Sequence, residues 1–183
     1  MIRAGRAEEC ELKLEKHYEE ELPTIRDHLF FWFPKRKTFL EEAFKLHDEG
    51  RYVSTIPLFL IQSDGIGQSI FGASPISKGK KSRADLEKWI NQRVLGGWAL
   101  DGFWRCILQI LPINADTDKV DIYNDPLNRH GVLHGLDPSY PSRSNSFKAI
   151  AWLQYVGSFA MWTRTRERWA KRMRGTRDSR TGS

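Results

Sequence analysis

One short polar segment, NRHGVLHG at residues 128–135, combines residue types that can act on a phosphodiester bond. Cleaving RNA without a metal needs a base for the ribose 2′-OH proton, an acid for the departing 5′-oxygen and a cation beside the phosphate. A histidine titrates near neutral pH, whereas an arginine stays charged and can hold two phosphate oxygens; His134 and Arg129 are the candidates for these two roles. On a regular helix these two residues lie about 140° apart, while His130 and His134 share one face. The segment therefore supplies candidate groups for RNA cleavage.

Two other interpretations use the same residues. His130 and His134 form an HxxxH pair that could bind zinc, but Gly131 stands where zincins need glutamate, and only Asp137 offers a further ligand nearby. Alternatively, the segment is a polar helix and turn whose histidines bond to the backbone, with Arg129 paired to Asp125 or Asp137. We expect no metal and no cofactor, and the structural interpretation stays open.

Positive charge is concentrated at the C-terminal end. The chain has 29 Lys/Arg and 23 Asp/Glu, a net charge of +6, and residues 163–183 alone hold eight of these cations against Glu167 and Asp178. The rest of the chain is therefore neutral overall. The tail could bind RNA phosphates, and Trp169 could stack on a base, which would make affinity strongly salt-dependent. The predicted RNA contacts are Arg164, Arg166, Arg168, Lys171, Arg172 and Arg174; a solvated tail without function is the alternative.

Cysteine content and hydropathy indicate the cellular compartment in which the protein is expected. Only Cys10 and Cys106 occur, in different contexts, so neither a disulfide framework nor a Cys-rich zinc site is indicated, and a reducing environment fits best. The longest apolar runs are shorter than the roughly 20 residues that a bilayer needs, and the N-terminus lacks the apolar region of a secretory signal. We expect a soluble, cytoplasmic protein.

The N-terminal third predicts two helices around an aromatic segment. Residues 7–22 read as a largely exposed helix that Pro23 ends. LFFWFP at residues 29–34 is typical of a core or subunit contact. A capping box of Thr38 and Glu41 then begins a helix of about 38–49, which Gly50 ends and in which His47 continues the apolar face as a core histidine.

The middle of the chain predicts further buried helices. Ser54 or Thr55 could cap a central helix with Pro57 in its first turn, and the unusual QSDGIG within it indicates a close helix crossing, a kink, or Asp64 turned toward a site. A helix follows from Ser82 to Gly96, and another spans residues 100–111 and ends at Pro112. No strand pattern is strong enough to build a sheet. An extended piece is conceivable only at residues 120–123.

The last core helix, residues 146–162 with Ser144 or Asn145 as its cap, is apolar nearly all round. Such a helix must be central or lie at a subunit interface. A monomer of five or six helices could hardly cover both this helix and the aromatics at residues 29–34, so we expect a homodimer.

NRHGVLHG resembles the arginine, four to six residues, histidine motif of HEPN domains, a large family of α-helical endoribonucleases. Four residues separate Arg129 from His134, the polar His130 follows the arginine, and Gly135 and then a buried helix follow the second histidine. The similarity extends to IPLFLIQSDGIGQ and LQYV and would cover about residues 38–162. It implies two motifs facing each other across a homodimer, with Arg129 on the scissile phosphate, His134 as acid or base, and His130 orienting the site.

Together these observations predict an all-α, HEPN-like helical bundle of about five core helices. An N-terminal helix and aromatic segment would span residues 1–34, the HEPN-like domain residues 35–162, and a basic, flexible tail residues 163–183. The expected function is metal-independent endoribonuclease, with RNA, a second copy and an antitoxin or regulatory protein as partners, because such domains are often toxins or phage-defence effectors. The alternative is a non-catalytic dimerising or regulatory module.

Overall fold

A computed structural model describes residues 4–77, 79–93, 102–109, 111–115 and 127–181, with residues 4–8, 93 and 166–181 described through their backbone alone. The helices are α1 (Ala4–Trp32), α2 (Lys37–Asp48), α3 (Tyr52–Phe71), α4 (Lys80–Arg93), α5 (Arg129–Leu133) and α6 (Arg143–Thr181). Short 3₁₀ turns lie at Pro34–Arg36, Cys106–Leu108 and Pro112–Asn114. All regular elements of the described residues are helical, which confirms the all-α helical bundle.

The core lies between α3 and α6, as the apolar runs of both helices predicted. α3 packs against α6 and α2, and α1 packs against α6. The fully buried side chains of the two central helices include Ile56, Phe59, Leu60, Ile66, Ile150, Leu153 and Phe159. No helix in the described part of the chain is long and apolar enough to cross a membrane.

The prediction that Pro23 ends the first helix is wrong. α1 continues through Pro23 to Trp32. Leu22, Ile25 and Leu29 are all buried in the core at helical spacing, so the apolar stripe continues across the proline. Burial of this stripe offsets the backbone hydrogen bond that a proline inside a helix removes. The aromatic segment is divided as a result: Phe33 is buried, whereas Phe31 is exposed.

The caps predicted for α2 and α3 are also wrong. α2 follows the 3₁₀ turn directly, with Arg36 as its N-cap, no capping side chain, and Thr38 inside the helix. α3 begins at Tyr52 with Arg51 as its N-cap, so Pro57 lies inside the helix rather than in its first turn. The Thr55 hydroxyl instead donates to the Ala43 carbonyl of α2, at 2.7 Å. It joins two helices and begins neither.

The helix predicted for residues 100–111 is interrupted. Residues 102–105 form one helical turn, Cys106–Leu108 form a 3₁₀ turn, and Gln109 is extended. The guanidinium of Arg83 donates to the carbonyls of Ile107 and Leu108, at 3.0 and 2.5 Å. These bonds satisfy carbonyls that a helix leaves open at its C-terminal end, so the chain leaves the helix before Pro112.

The starts of α4 and α6 also differ from the predicted ones. α4 begins at Lys80, before the expected cap Ser82, and the expected stop at Gly96 lies outside the described residues. The extended piece at residues 120–123 lies outside them too. α6 begins at Arg143, because the Ser142 hydroxyl accepts from the Asn145 amide at 3.1 Å, and its backbone stays helical through the basic tail to Thr181.

Candidate functional site

The motif lies on α5, a short helix whose start is fixed by Asn128. The Asn128 side-chain oxygen accepts from the Gly131 amide at 2.8 Å. Its side-chain nitrogen donates to the carbonyls of Pro112 and Ala115, both at 3.0 Å. Asn128 is 1% exposed, so this one buried amide both caps α5 and attaches it to the preceding 3₁₀ turn. Asn128 was not predicted as a site residue, although an Asn directly before a helix is a common N-cap.

α5 ends in a tight turn at Gly135. Gly135 has φ +69°, in the left-handed region that glycine adopts readily. The Leu136 amide then donates to the Gly131 carbonyl at 2.8 Å, which closes the end of the helix. His134 is the C-cap residue and is exposed. The backbone turn at the end of α5 therefore fixes the position of His134.

His130 and His134 form an exposed pair. Their ring centroids are 4.2 Å apart, with an interplanar angle of 54°. The contact follows from their spacing of four residues on one helical face, as predicted. Two exposed imidazoles at this separation can contact the same small ligand.

The side chain of Arg129 points toward α3. One of its terminal nitrogens forms an ion pair with the Asp64 carboxylate, and 29% of the Arg129 side chain and 18% of the Asp64 side chain are exposed. The other carboxylate oxygen of Asp64 accepts from the Ser74 hydroxyl at 2.8 Å. Asp64 thus orients Arg129, and Ser74 in turn holds the Asp64 carboxylate in place. The structure places Arg129 and His130 on α5 and His134 at its C-cap, with Arg129 bound to α3 and the two imidazoles in contact with each other.

Neither partner expected for Arg129 in the structural interpretation is the one observed. Asp137 accepts from the amide and the hydroxyl of Ser139, at 2.9 and 2.6 Å, and Asp125 lies outside the described residues. The observed partner, Asp64, is 65 residues earlier in the chain. Its only signal in the sequence was the polar QSDGIG stretch inside an apolar helix.

The glycines of that stretch permit two close contacts. A Cβ on Gly65 would lie 2.5 Å from Nη1 of Arg36, and a Cβ on Gly67 would overlap the ring of Pro75. The contact with Pro75 brings the turn that contains Ser74 against α3, beside Asp64. Of the three explanations considered for QSDGIG, close packing at the glycines is observed, but it is against Arg36 and Pro75 in turns and not against a crossing helix, and it positions the partner that holds Asp64.

The predicted structural role of His47 is confirmed. His47 is buried, and its Nδ1 lies 2.7 Å from the Ser146 hydroxyl at the start of α6. Burial lowers the pKa of His47, the nearby Asp48 raises it, and Arg26 and Arg143 lower it further. Ser146 has no exposed surface, so this serine and histidine do not form an accessible catalytic pair.

Potential metal ligands do not cluster in the described part of the chain. Among its residues, no group of three or more His, Cys, Asp or Glu is arranged to hold a metal ion.

One of the predicted RNA contacts has a described side chain, Arg164, which donates to the Trp32 carbonyl at 2.6 Å. The others lie where the structure describes the backbone alone, namely Arg166, Arg168, Lys171, Arg172 and Arg174.

No protein-family model matches the chain, and no curated protein sequence or solved structure is significantly similar to it. The resemblance to HEPN domains therefore stays a prediction based on the residues of NRHGVLHG and on the helices around it.

Proposed function

We propose that the protein is a metal-independent endoribonuclease of the HEPN type. The observation that carries the proposal is the exposed pair of His130 and His134 on the same short helix as Arg129. The resemblance to HEPN domains implied that His130 only orients the site; because the two exposed rings are in contact, this proposal assigns a proton transfer to each. One imidazole takes the proton of the ribose 2′-OH as this oxygen attacks phosphorus. The other gives a proton to the 5′-oxygen as the P–O bond breaks. The products are a 2′,3′-cyclic phosphate and a 5′-OH.

In this proposal Arg129 stabilises the charge of the phosphate. A guanidinium has five N–H donors, and the bond to Asp64 leaves others for a phosphate oxygen. Because Arg129 is paired with Asp64 on α3 while the two imidazoles contact each other in solvent, one copy alone presents them poorly to a single phosphate. The proposal therefore includes a homodimer in which Arg129 of one copy and the histidines of the other act on the same bond. It also includes a role as toxin or phage-defence effector under an antitoxin or regulatory partner.

The test is cleavage of total tRNA in EDTA by purified protein, with end-group analysis of the products. We expect His134→Ala to reduce the rate by at least about 100-fold, the usual contribution of general acid–base catalysis. His28→Ala is the matched control, because His28 is equally exposed but lies on α1, and it should leave the rate unchanged. Loss of activity in EDTA, or products with 3′-OH ends, would contradict the mechanism.

The role of Arg129 is tested with a variant that keeps the positive charge but changes the shape of the charged group. Arg129→Lys retains the cation and its pairing with Asp64 but lacks the planar, multidentate donors. We expect it to fold with nearly the stability of the wild type and to cleave at least about 10-fold more slowly. Cleavage at the wild-type rate would remove Arg129 from the site.

The ion pair with Asp64 favours a second candidate function, a non-catalytic dimerising or regulatory module. In that case Asp64 neutralises Arg129 for structural reasons, and α5 only connects the core helices. A stable dimer that cleaves no RNA tested, including tRNA, would support this function over the first.

A further inference from the structure

The connection between α1 and α2 carries cations close in sequence to an exposed aromatic ring. Phe31 is 66% exposed, and its ring packs edge-on against Trp32 with centroids 5.3 Å apart. Lys35, Arg36 and Lys37 follow within six residues. Lys37 pairs with Glu41 at 3.5 Å, whereas Lys35 and Arg36 have no carboxylate at salt-bridge distance among the described residues. The connection therefore carries uncompensated positive charge beside a ring that is accessible to solvent.

Arg164 of α6 adds a cation from the other end of the chain. It donates to the Trp32 carbonyl, and its guanidinium carbon lies 6.0 Å from the centroid of the Phe33 ring. These contacts hold the start of the basic C-terminal segment against the α1–α2 connection. We refer to Phe31, Lys35, Arg36 and Arg164 together as the α1–α2 surface.

This surface is continuous with the candidate site through Arg36. The Arg36 guanidinium lies against the backbone of Gly65 and donates to the Gln62 side chain at 3.0 Å. The residue before Gly65 is Asp64, which binds Arg129. A short stretch of α3 thus separates the cations of the surface from the helix that carries the two histidines.

We propose that the α1–α2 surface binds single-stranded RNA and directs it toward α5. Cations on such a surface neutralise RNA phosphates, and an exposed aromatic ring stacks on a base that is not paired. Duplex RNA is the poorer ligand, because its bases offer no free face to Phe31. The direction of the strand toward α5 rests on the proposed function, whereas binding itself does not depend on cleavage.

The experiment measures binding and cleavage separately, on the full chain. In a His134→Ala background, fluorescence anisotropy follows a labelled oligouridine of about 15 nucleotides across a range of salt concentrations. Phe31→Ala should weaken binding about 5- to 100-fold without changing the salt slope, because stacking is not ionic. Lys35→Glu should weaken binding and reduce the slope by about 0.7 for each phosphate that the protein no longer neutralises. Lys81→Glu on α4, with the same charge change at an exposed position, should change affinity less than about 2-fold.

Two results would overturn the proposal. One is binding that Phe31→Ala and Lys35→Glu leave unchanged, which would move the RNA contact elsewhere. The other is a shift from dimer to monomer in Phe31→Ala with unchanged RNA affinity, which would make the surface a subunit interface. A wild-type protein that binds the oligouridine but cleaves no RNA would instead count against the nuclease and leave the surface intact.

Discussion

Asp64 is the residue that connects the candidate site to the core. It is partly buried on α3, accepts from Ser74 and pairs with Arg129, so its charge determines where the guanidinium points. A carboxylate in this position orients the arginine and at the same time competes with any phosphate for it. Removing the charge of Asp64 while retaining its shape therefore separates these two effects.

We expect Asp64→Asn to lower the free energy of unfolding by about 1–2 kcal/mol. The amide still accepts from Ser74, but a partly buried Arg129 loses its counterion; hydrogen bonds to charged groups contribute about 1.5–3 kcal/mol, and partial exposure reduces this value. Urea unfolding at neutral pH measures the change. Asp27→Asn, at an exposed position on α1, is the control and should stay within about 0.5 kcal/mol. Equal changes in the free energy of unfolding for the two substitutions would show that the ion pair between Asp64 and Arg129 does not stabilise the fold.

At the scale of the helices, Pro57 shows how a missing backbone donor is compensated elsewhere. A proline inside a helix donates no hydrogen bond to the carbonyl four residues earlier, here Val53. The hydroxyl of Tyr140 takes that place and donates to the Val53 carbonyl at 2.7 Å. Tyr140 follows the turn after α5, so this bond also fixes the segment between the histidines and α6. Burial, followed by the charge of Asp137, raises the pKa of Tyr140, which stays a donor at neutral pH.

This compensation predicts a coupling between two distant substitutions. Tyr140→Phe should cost about 1 kcal/mol of stability, because the Val53 carbonyl loses its donor. In a Pro57→Ala background the new backbone N–H at position 57 supplies a donor, so the same Tyr140→Phe change should cost close to nothing. A double-mutant cycle by urea unfolding measures the difference. Additive effects would mean that the hydroxyl and the missing N–H are independent.

Features of the helices that depend on local sequence patterns were predictable, whereas features that depend on contacts between distant residues were not. Apolar periodicity is local, and it predicted the buried faces of α2, α3, α4 and α6. Helix ends were predicted poorly, because contacts between distant residues decide them. Examples are Arg83 on the carbonyls of Ile107 and Leu108, and the core contacts that carry α1 across Pro23. The histidine pair was predictable from its spacing of four residues, whereas Asp64 as the partner of Arg129 depends on tertiary packing.

At the scale of the whole molecule, the bundle depends on contacts between early and late helices. The bond between His47 and Ser146 joins α2 to the start of α6, across 99 residues of sequence. The rings of Tyr52 and Phe147 pack edge-on against the imidazole of His47. The charged groups around it are Asp48, Glu19, Arg26 and Arg143.

The start of α6 is also held by the ion pairs of Arg143 with Glu15 and Glu19 on α1. Three helices thus meet around one buried, neutral histidine.

This arrangement predicts that the fold loses stability in mild acid. Because burial holds the pKa of folded His47 below its usual range, the unfolded chain takes up a proton as pH falls through about 6.5 while folded His47 stays neutral. The unfolded state then binds more protons, so the free energy of unfolding falls by up to about 1.4 kcal/mol per pH unit below that point, until folded His47 is also protonated. His47→Gln retains a hydrogen-bonding partner for Ser146 and cannot titrate, so its free energy of unfolding should fall less between about pH 7.5 and 5.5. The control His28→Ala should show the same dependence of the free energy of unfolding on pH as the wild type. Parallel curves for wild type and His47→Gln in urea unfolding would contradict this role, because the acid sensitivity would then come from groups outside the junction of α1, α2 and α6.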